Sequence, residues 1–210
     1  MAIDTIETPS SPSPLPTQFS QSRHFYVAVD RIRFKMETLL DLLGMAGRRA
    51  LPMVLCCSSR DELDSVCSAI SNLPYITLSS LYSDQAESER VMILERFRQA
   101  TLEWNQNVTA HTGNNAEADV YDYKSCVLVV TDACLPLLAS GEPPNLARVL
   151  INFEIPAKKE TYLRRMSTCL AADGIVINMV VGGEVVTLKS IEESSGLLIA
   201  EMPIHISEIL

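Results

Sequence analysis

Four cationic side chains, Lys158, Lys159, Arg164 and Arg165, surround Tyr162 in one short stretch of this chain. The chemistry such a cluster suits is the holding of an anion. It follows directly on a β-branched apolar run, Val149, Ile151 and Phe153, that breaks at Pro156. Other polar residues stand at the ends of apolar runs in the same way: Arg60 after Met53 to Cys57, Thr131 with Asp132 after Cys126 to Val130. In open α/β folds ligands collect at the carboxyl ends of strands, so this placement by itself suggests a site. A solvated helix face is the preferred reading of the four cations, and ion pairing within the fold is the commoner fate of Arg60 and Arg90.

Hydrolysis of a nucleoside triphosphate needs a backbone cradle and a lysine for the phosphates, a carboxylate for Mg²⁺, and a cation facing the γ-phosphate. The 210 residues contain no G-x-x-x-x-G-K-[ST] and no D-E-A-D, and Gly44-Met45-Ala46-Gly47 has neither the spacing nor the lysine. No enzymatic activity and no cofactor are expected. The three histidines (His24, His111, His205) are too dispersed for a zinc set or a Cys-His dyad, so no metal is expected either. The six cysteines show no C-x-x-C spacing and read as buried free thiols of a reducing compartment.

Elements must position these residues, and apolar periodicity outlines them. His24 to Val29 alternates as a first strand, and Phe34, Leu39, Leu40, Leu42 and Leu43 recur at helical spacing. Met53 to Cys57, Cys126 to Val130 and Ile175 to Val181 are continuous apolar runs, the signature of strands buried on both faces. Helices are expected from Ser59 or Asp61 through Ile70, over Glu87 to Gln99, after Pro156 to an Ala-Ala-Asp-Gly exit, and over Glu184 to Glu193 with Gly196 as the stop. This alternation specifies an α/β fold, three layers around a mainly parallel sheet. Two stretches depart from it. Residues 1–22, rich in Ser and Pro, read as a disordered tail ahead of one domain over 23–210. Thr101 to Tyr123, polar and holding the single tryptophan, reads as an inserted loop.

A net charge of −9 with a pI of 4.8 opposes general binding to polyphosphate, which depends on Lys and Arg displacing counterions. No basic-then-apolar signal region opens the chain, and no apolar run approaches the roughly 20 residues of a membrane helix. An intracellular protein of the nucleus or cytoplasm, neither secreted nor membrane-bound, is expected.

The stretch RVLINFEIPAKKETYLRRMSTCLAADG resembles the second RecA-like domain of DEAD-box RNA helicases, which reads V-I-N-Y-D-L-P and then Y-I-H-R-I-G-R-x-G-R. Thr131-Asp132 matches the start of that family's fifth motif, Glu87 to Arg90 its Q-x-x-R, and Ser58 to Arg60 its C-N-T-R. The ending Glu201-Met202-Pro203 resembles the terminus of the initiation factor 4A subfamily. The resemblance covers about His24 to Leu210 and implies a RecA-like helicase C-terminal-type domain. It implies RNA-contact positions at Arg60, Arg90 and Thr131, and nucleotide-motif positions at Arg165, Thr168 and Ala171. Only the first of those last three carries a charge, since Thr168 and Ala171 stand where the family has arginines. Ser140 and Pro143 likewise replace an arginine and an aspartate of the fifth motif.

A non-catalytic pseudo-helicase domain is therefore expected, acting as a protein-interaction adaptor in an RNA-related or gene-regulatory complex. The resemblance suggests a helical-repeat scaffold as partner, with Trp104 and Leu135 as candidate contacts. A weak RNA-binding module is the alternative, and a component of an ATP-dependent helicase a more distant one.

Overall fold

The computed structural model describes residues 23–111 and 124–210. The expected tail over 1–22 and the later part of the expected insertion lie outside these residues. Seven strands form one sheet in the order β3-β4-β2-β5-β6-β1-β7, every neighbouring pair parallel. They are β1 (Arg23–Val29), β2 (Met53–Cys57), β3 (Ile76–Leu81), β4 (Ser125–Thr131), β5 (Ala147–Asn152), β6 (Leu170–Val181) and β7 (Ile199–Glu201). The helices are α1 (Lys35–Ala46), α2 (Arg60–Ile70), α3 (Glu87–His111), α4 (Lys159–Cys169) and α5 (Val185–Ser195).

Strand side chains alternate between faces, so each apolar run feeds two cores. Met53, Leu55, Val127, Val129, Val149 and Ile151 pack with Leu39 and Leu43 of α1 and Leu63 and Val66 of α2. Val54, Cys56, Leu128, Val130 and Leu150 pack on the other face with Leu94 and Phe97 of α3, Tyr162 and Met166 of α4, and Leu188 of α5. This is the expected three-layer arrangement, and its sheet is wholly parallel. The local signals act where the sequence puts them. Ser59 caps α2, its hydroxyl accepting from the Glu62 amide at 3.3 Å, and Gly196 ends α5 at φ +66°, a left-handed conformation that glycine adopts without a Cβ clash. All six cysteines are free.

Three expectations are corrected. The stretch from Thr101 is helical as far as His111, a continuation of α3 and not a loop. It contains no Gly or Pro, the buried Thr101 hydroxyl donates to the Phe97 carbonyl at 3.0 Å, and Gln99 bonds Glu103 one turn on. Its Trp104 is half-buried and covered by the Arg148 guanidinium, 5.1 Å from the ring centroid. Leu135 is 1% exposed within the core beneath α3 and α4, so it is not offered to a partner. Finally, the Ala-Ala-Asp-Gly stretch is no helix exit: α4 stops at Cys169 and the chain enters β6 at Leu170.

The helix α1 is tied to the far end of the sheet by charge. Lys35, 2% exposed, sets its ammonium 3.2 Å from Glu184, which also accepts from the Val181 amide at 2.8 Å.

Candidate functional site

The parallel sheet directs the ends of β2, β3, β4 and β5 to one side of the molecule, and the motif-like residues stand there. Arg165 is at the centre, projecting from α4 and 0% exposed. Its Nε and one terminal nitrogen donate to the two carboxylate oxygens of Asp132 at 2.7 and 2.8 Å. Its other terminal nitrogen donates to Asn152 Oδ1 at 2.9 Å and to the Glu154 carbonyl at 2.8 Å. Burial pulls the arginine pKa down, and the Asp132 bonds more than offset that, leaving it raised. The guanidinium is thus a cross-brace between the ends of β4 and β5.

The brace continues inwards as a buried polar chain. Asn152 donates to Asn178 Oδ1 at 2.8 Å, a contact their opposed register on β5 and β6 dictates. Asn178 in turn donates to the Tyr162 hydroxyl at 3.1 Å and to the Phe25 carbonyl at 3.0 Å. Tyr162 lies 3.0 Å from His24 Nδ1 on β1. Burial lowers the His24 pKa to about 4 and raises that of Tyr162, an effect the bond from Asn178 opposes. Such a chain specifies how strands and α4 fit together; it leaves no polar group of Asn152, Asn178 or Arg165 directed at solvent for ligand chemistry.

The other two nucleotide-motif positions do not converge on Arg165's outer side. Thr168 is buried and its hydroxyl donates back to the Arg164 carbonyl at 2.7 Å. Ala171 lies at the amino-terminal start of β6. Ser167 and Leu170 stand where the resembled motif has glycines, and α4 runs unbroken to Cys169 before the chain enters β6.

The RNA-contact candidates are also engaged by protein. Arg90 is held by both carboxylate oxygens of Glu142, at 3.1 and 3.0 Å, and reaches the Cys134 carbonyl. Glu142 also accepts from the Leu137 amide; burial opposes its ionisation, while that bond and Arg90 prevail and keep its pKa low. Arg60 pairs with Asp84 at 2.9 Å and lies over the Tyr82 ring, 5.0 Å from its centroid, yet remains 57% exposed. Thr131 is half-buried, its hydroxyl 3.5 Å from Cys134 Sγ. Arg60 and Thr131 do meet, with Tyr82 and Ser83, around a cleft of only about 20 Å³. Trp104 and Leu135 belong to neither group.

Sequence reasoning missed that Glu142 is the carboxylate that holds Arg90, and it missed the Lys35–Glu184 pair and the links through Asn178 and His24. Only the apolar setting of Asn178 within Ile175 to Val181 hinted that a buried amide needed a partner. Among the described residues no three His, Cys, Asp or Glu side chains are grouped as a metal site requires, and no helix is long and apolar enough to cross a membrane.

No family model matches the chain. Individual proteins do. It is 28% identical over 190 residues to the eukaryotic initiation factor 4A of Cryptosporidium parvum, and 26% identical over the same length to the ATP-dependent RNA helicase eIF4A of Schizosaccharomyces pombe. Each alignment takes in 90% of this chain, which spans about two fifths of those relatives' length. Among solved structures, the C-terminal domain of the DEAD-box protein Dbp5 superposes with a TM-score of 0.62 at 16% identity, over 87% of this chain and 91% of that one. The E. coli DEAD-box protein SrmB, bound to regulator of ribonuclease activity A, gives 0.62 at 17% identity, over 90% and 94%. S. cerevisiae Dbp5 bound to Nup159, Gle1, IP6 and ADP gives 0.63 at 15% identity, over 91% and 44%. The chain is homologous to eIF4A-type DEAD-box helicases over about 90% of its length and has the α/β RecA-like fold of DEAD-box C-terminal domains.

Proposed function

We propose that this domain, homologous to the C-terminal part of DEAD-box helicases, acts without catalysis as a protein-binding adaptor in an RNA-related or gene-regulatory assembly. The observation that carries this reading is the fate of Arg165. A cation that stabilises phosphoryl transfer must face the γ-phosphate, and is worth about 10³ to 10⁵ in rate where it is used. Here the guanidinium is buried against Asp132 and Asn152, and Thr168 and Ala171 bring no charge to replace it. The fold around it is fully built, which is what a binding surface requires. Two structural neighbours, SrmB and Dbp5, are seen bound to proteins, and that supports protein binding as the retained role.

ATP turnover with and without RNA tests the proposal on the purified chain. No turnover above a mock preparation is expected; turnover abolished by Arg165→Ala in a variant that stays folded would overturn it. The exposure of Arg60 supports one second reading, weak RNA binding. Phosphate-mediated binding would weaken steeply as salt rises, whereas an apolar protein interface would not.

A further inference from the structure

The sheet has one edge that stops short. Strand β7 pairs with β1 only from His24 to Tyr26, whereas β1 continues beside β6 to Val29. The last bond of that short ladder runs from the Met202 amide to the Tyr26 carbonyl at 2.9 Å, after which the chain reaches Pro203. Because backbone groups alternate sides along a strand, the amide and carbonyl of Ala28 point the same way as those of Tyr26, past the end of β7. Ala28 is exposed. Beside it a groove of about 420 Å³ opens between the sheet and α5, lined by Tyr26, Ala28, Val180, Val185, Leu188 and Ile199. Asp30 and Lys189 complete its rim, and its apolar side is open: Val185 is 46% exposed and its neighbour Val186 79%.

We infer that this edge takes an extended peptide from a partner protein, which lengthens the sheet against Ala28, seats an apolar side chain in the groove, and sets a Lys or Arg beside Asp30. The inference rests on the adaptor reading and names the surface it uses. The backbone pattern suits an extended occupant, since a strand laid along β1 offers a donor and an acceptor at the spacing Ala28 presents. Strand pairing puts alternate side chains on one face, so apolar residues at i and i+2 meet the groove together. Charge selects the flank. Asp30 lines the groove mouth with its side chain 81% exposed against 64% for Arg31, 3.5 Å away, while Lys189, the cation of the groove lining, is paired with Glu192 at 2.9 Å, in a chain of net charge −9. A second copy of this chain would bring that same charge against itself through a three-residue edge, so a basic peptide is the better complement.

The test uses the full chain, labelled with ¹⁵N, and a display library of random linear peptides. Enriched peptides should carry apolar residues two apart beside Lys or Arg, and binding should slow hydrogen exchange at the Ala28 amide. Val185→Glu, which charges the groove mouth, should weaken them about tenfold or more, as should Ala28→Pro, which removes an amide facing away from β6. Asp30→Lys should weaken them as well. Peptides that bind but leave Ala28 exchange and Val185→Glu affinity unchanged would overturn the site, as would a library that yields none. Two further results would replace the proposed occupant: a dimer abolished by Val185→Glu, or an Ala28 amide protected in the free chain and released by deleting residues 2–22. ATP turnover by the chain would sink the adaptor reading and leave the peptide data standing. A cellular partner retained equally by wild type and Val185→Glu would keep the adaptor and remove this edge as its surface.

Discussion

A guanidinium with four bonded donors behaves differently from one kept for a ligand. Arg165 holds Asp132 with two bonds and Asn152 with a third, all without access to water on its own side. Replacing it by Leu leaves a partly buried carboxylate and a buried amide without their donor, a loss of about 3 kcal/mol in stability. Arg165→Lys should recover less than half of that, because a single ammonium cannot reproduce the planar fork that reaches both acceptors. Urea denaturation of the three proteins measures it. Equal midpoints would mean that the arginine is not a brace, and the adaptor reading would lose its main support.

Between elements, the pair joining α1 to the turn before α5 sets a buried ammonium against a single carboxylate. Glu184→Gln keeps an acceptor for the Val181 amide but leaves the Lys35 ammonium buried beside Phe153 without a carboxylate. A loss of about 2–3 kcal/mol is expected, smaller than for a fully buried pair because Glu184 is itself 30% exposed. Adding Lys35→Met should restore most of it, and a double-mutant cycle by thermal or chemical unfolding reads the coupling directly. Elements such as β2, β4 and β5 were legible in the sequence because strands covered on both faces must be apolar at every position. The length of α3 was not, since beyond Thr101 its sequence is largely polar, most of residues 102–107 are exposed, and such polarity resembles that of a loop. The candidate site was legible only as separate residues. Arg165, Thr131, Asp132 and Asn152 each carry a motif signal, but what Arg165 does depends on Asp132 and Asn152 meeting it from the ends of β4 and β5, with Asn178 holding Asn152 through strand register, and register is a property of the sheet. Leu135 was misjudged for the same reason: its burial is decided by α3 and α4, distant in the chain.

At the scale of the whole molecule, stability is linked to protons through His24. Its pKa falls from the ordinary 6.5 to about 4 because burial penalises the imidazolium. The unfolded chain therefore binds a proton that the folded one refuses, so the contribution is complete above about pH 6.5 and is lost as pH falls towards 4. The full difference is about 3 kcal/mol. Comparing unfolding free energies of wild type and His24→Gln between pH 7 and pH 4 isolates it from the carboxylates; parallel profiles would show that His24 is protonated in the fold.

The strand order also gives the domain a timetable. Strand β1, the first element of the described chain, lies between β6 and β7, with His24 opposite both Val176 and Ile199. On a ribosome adding about 5–20 residues per second, some tens of seconds at the slower rate pass before either neighbour exists. The inner strands β2, β4 and β5 have all been made by then and are one another's neighbours, so they are free to pair while β1 still waits. During that interval Phe25, Val27 and Val29 have no strand to pair with, and closure of this sheet waits until β6 has been made.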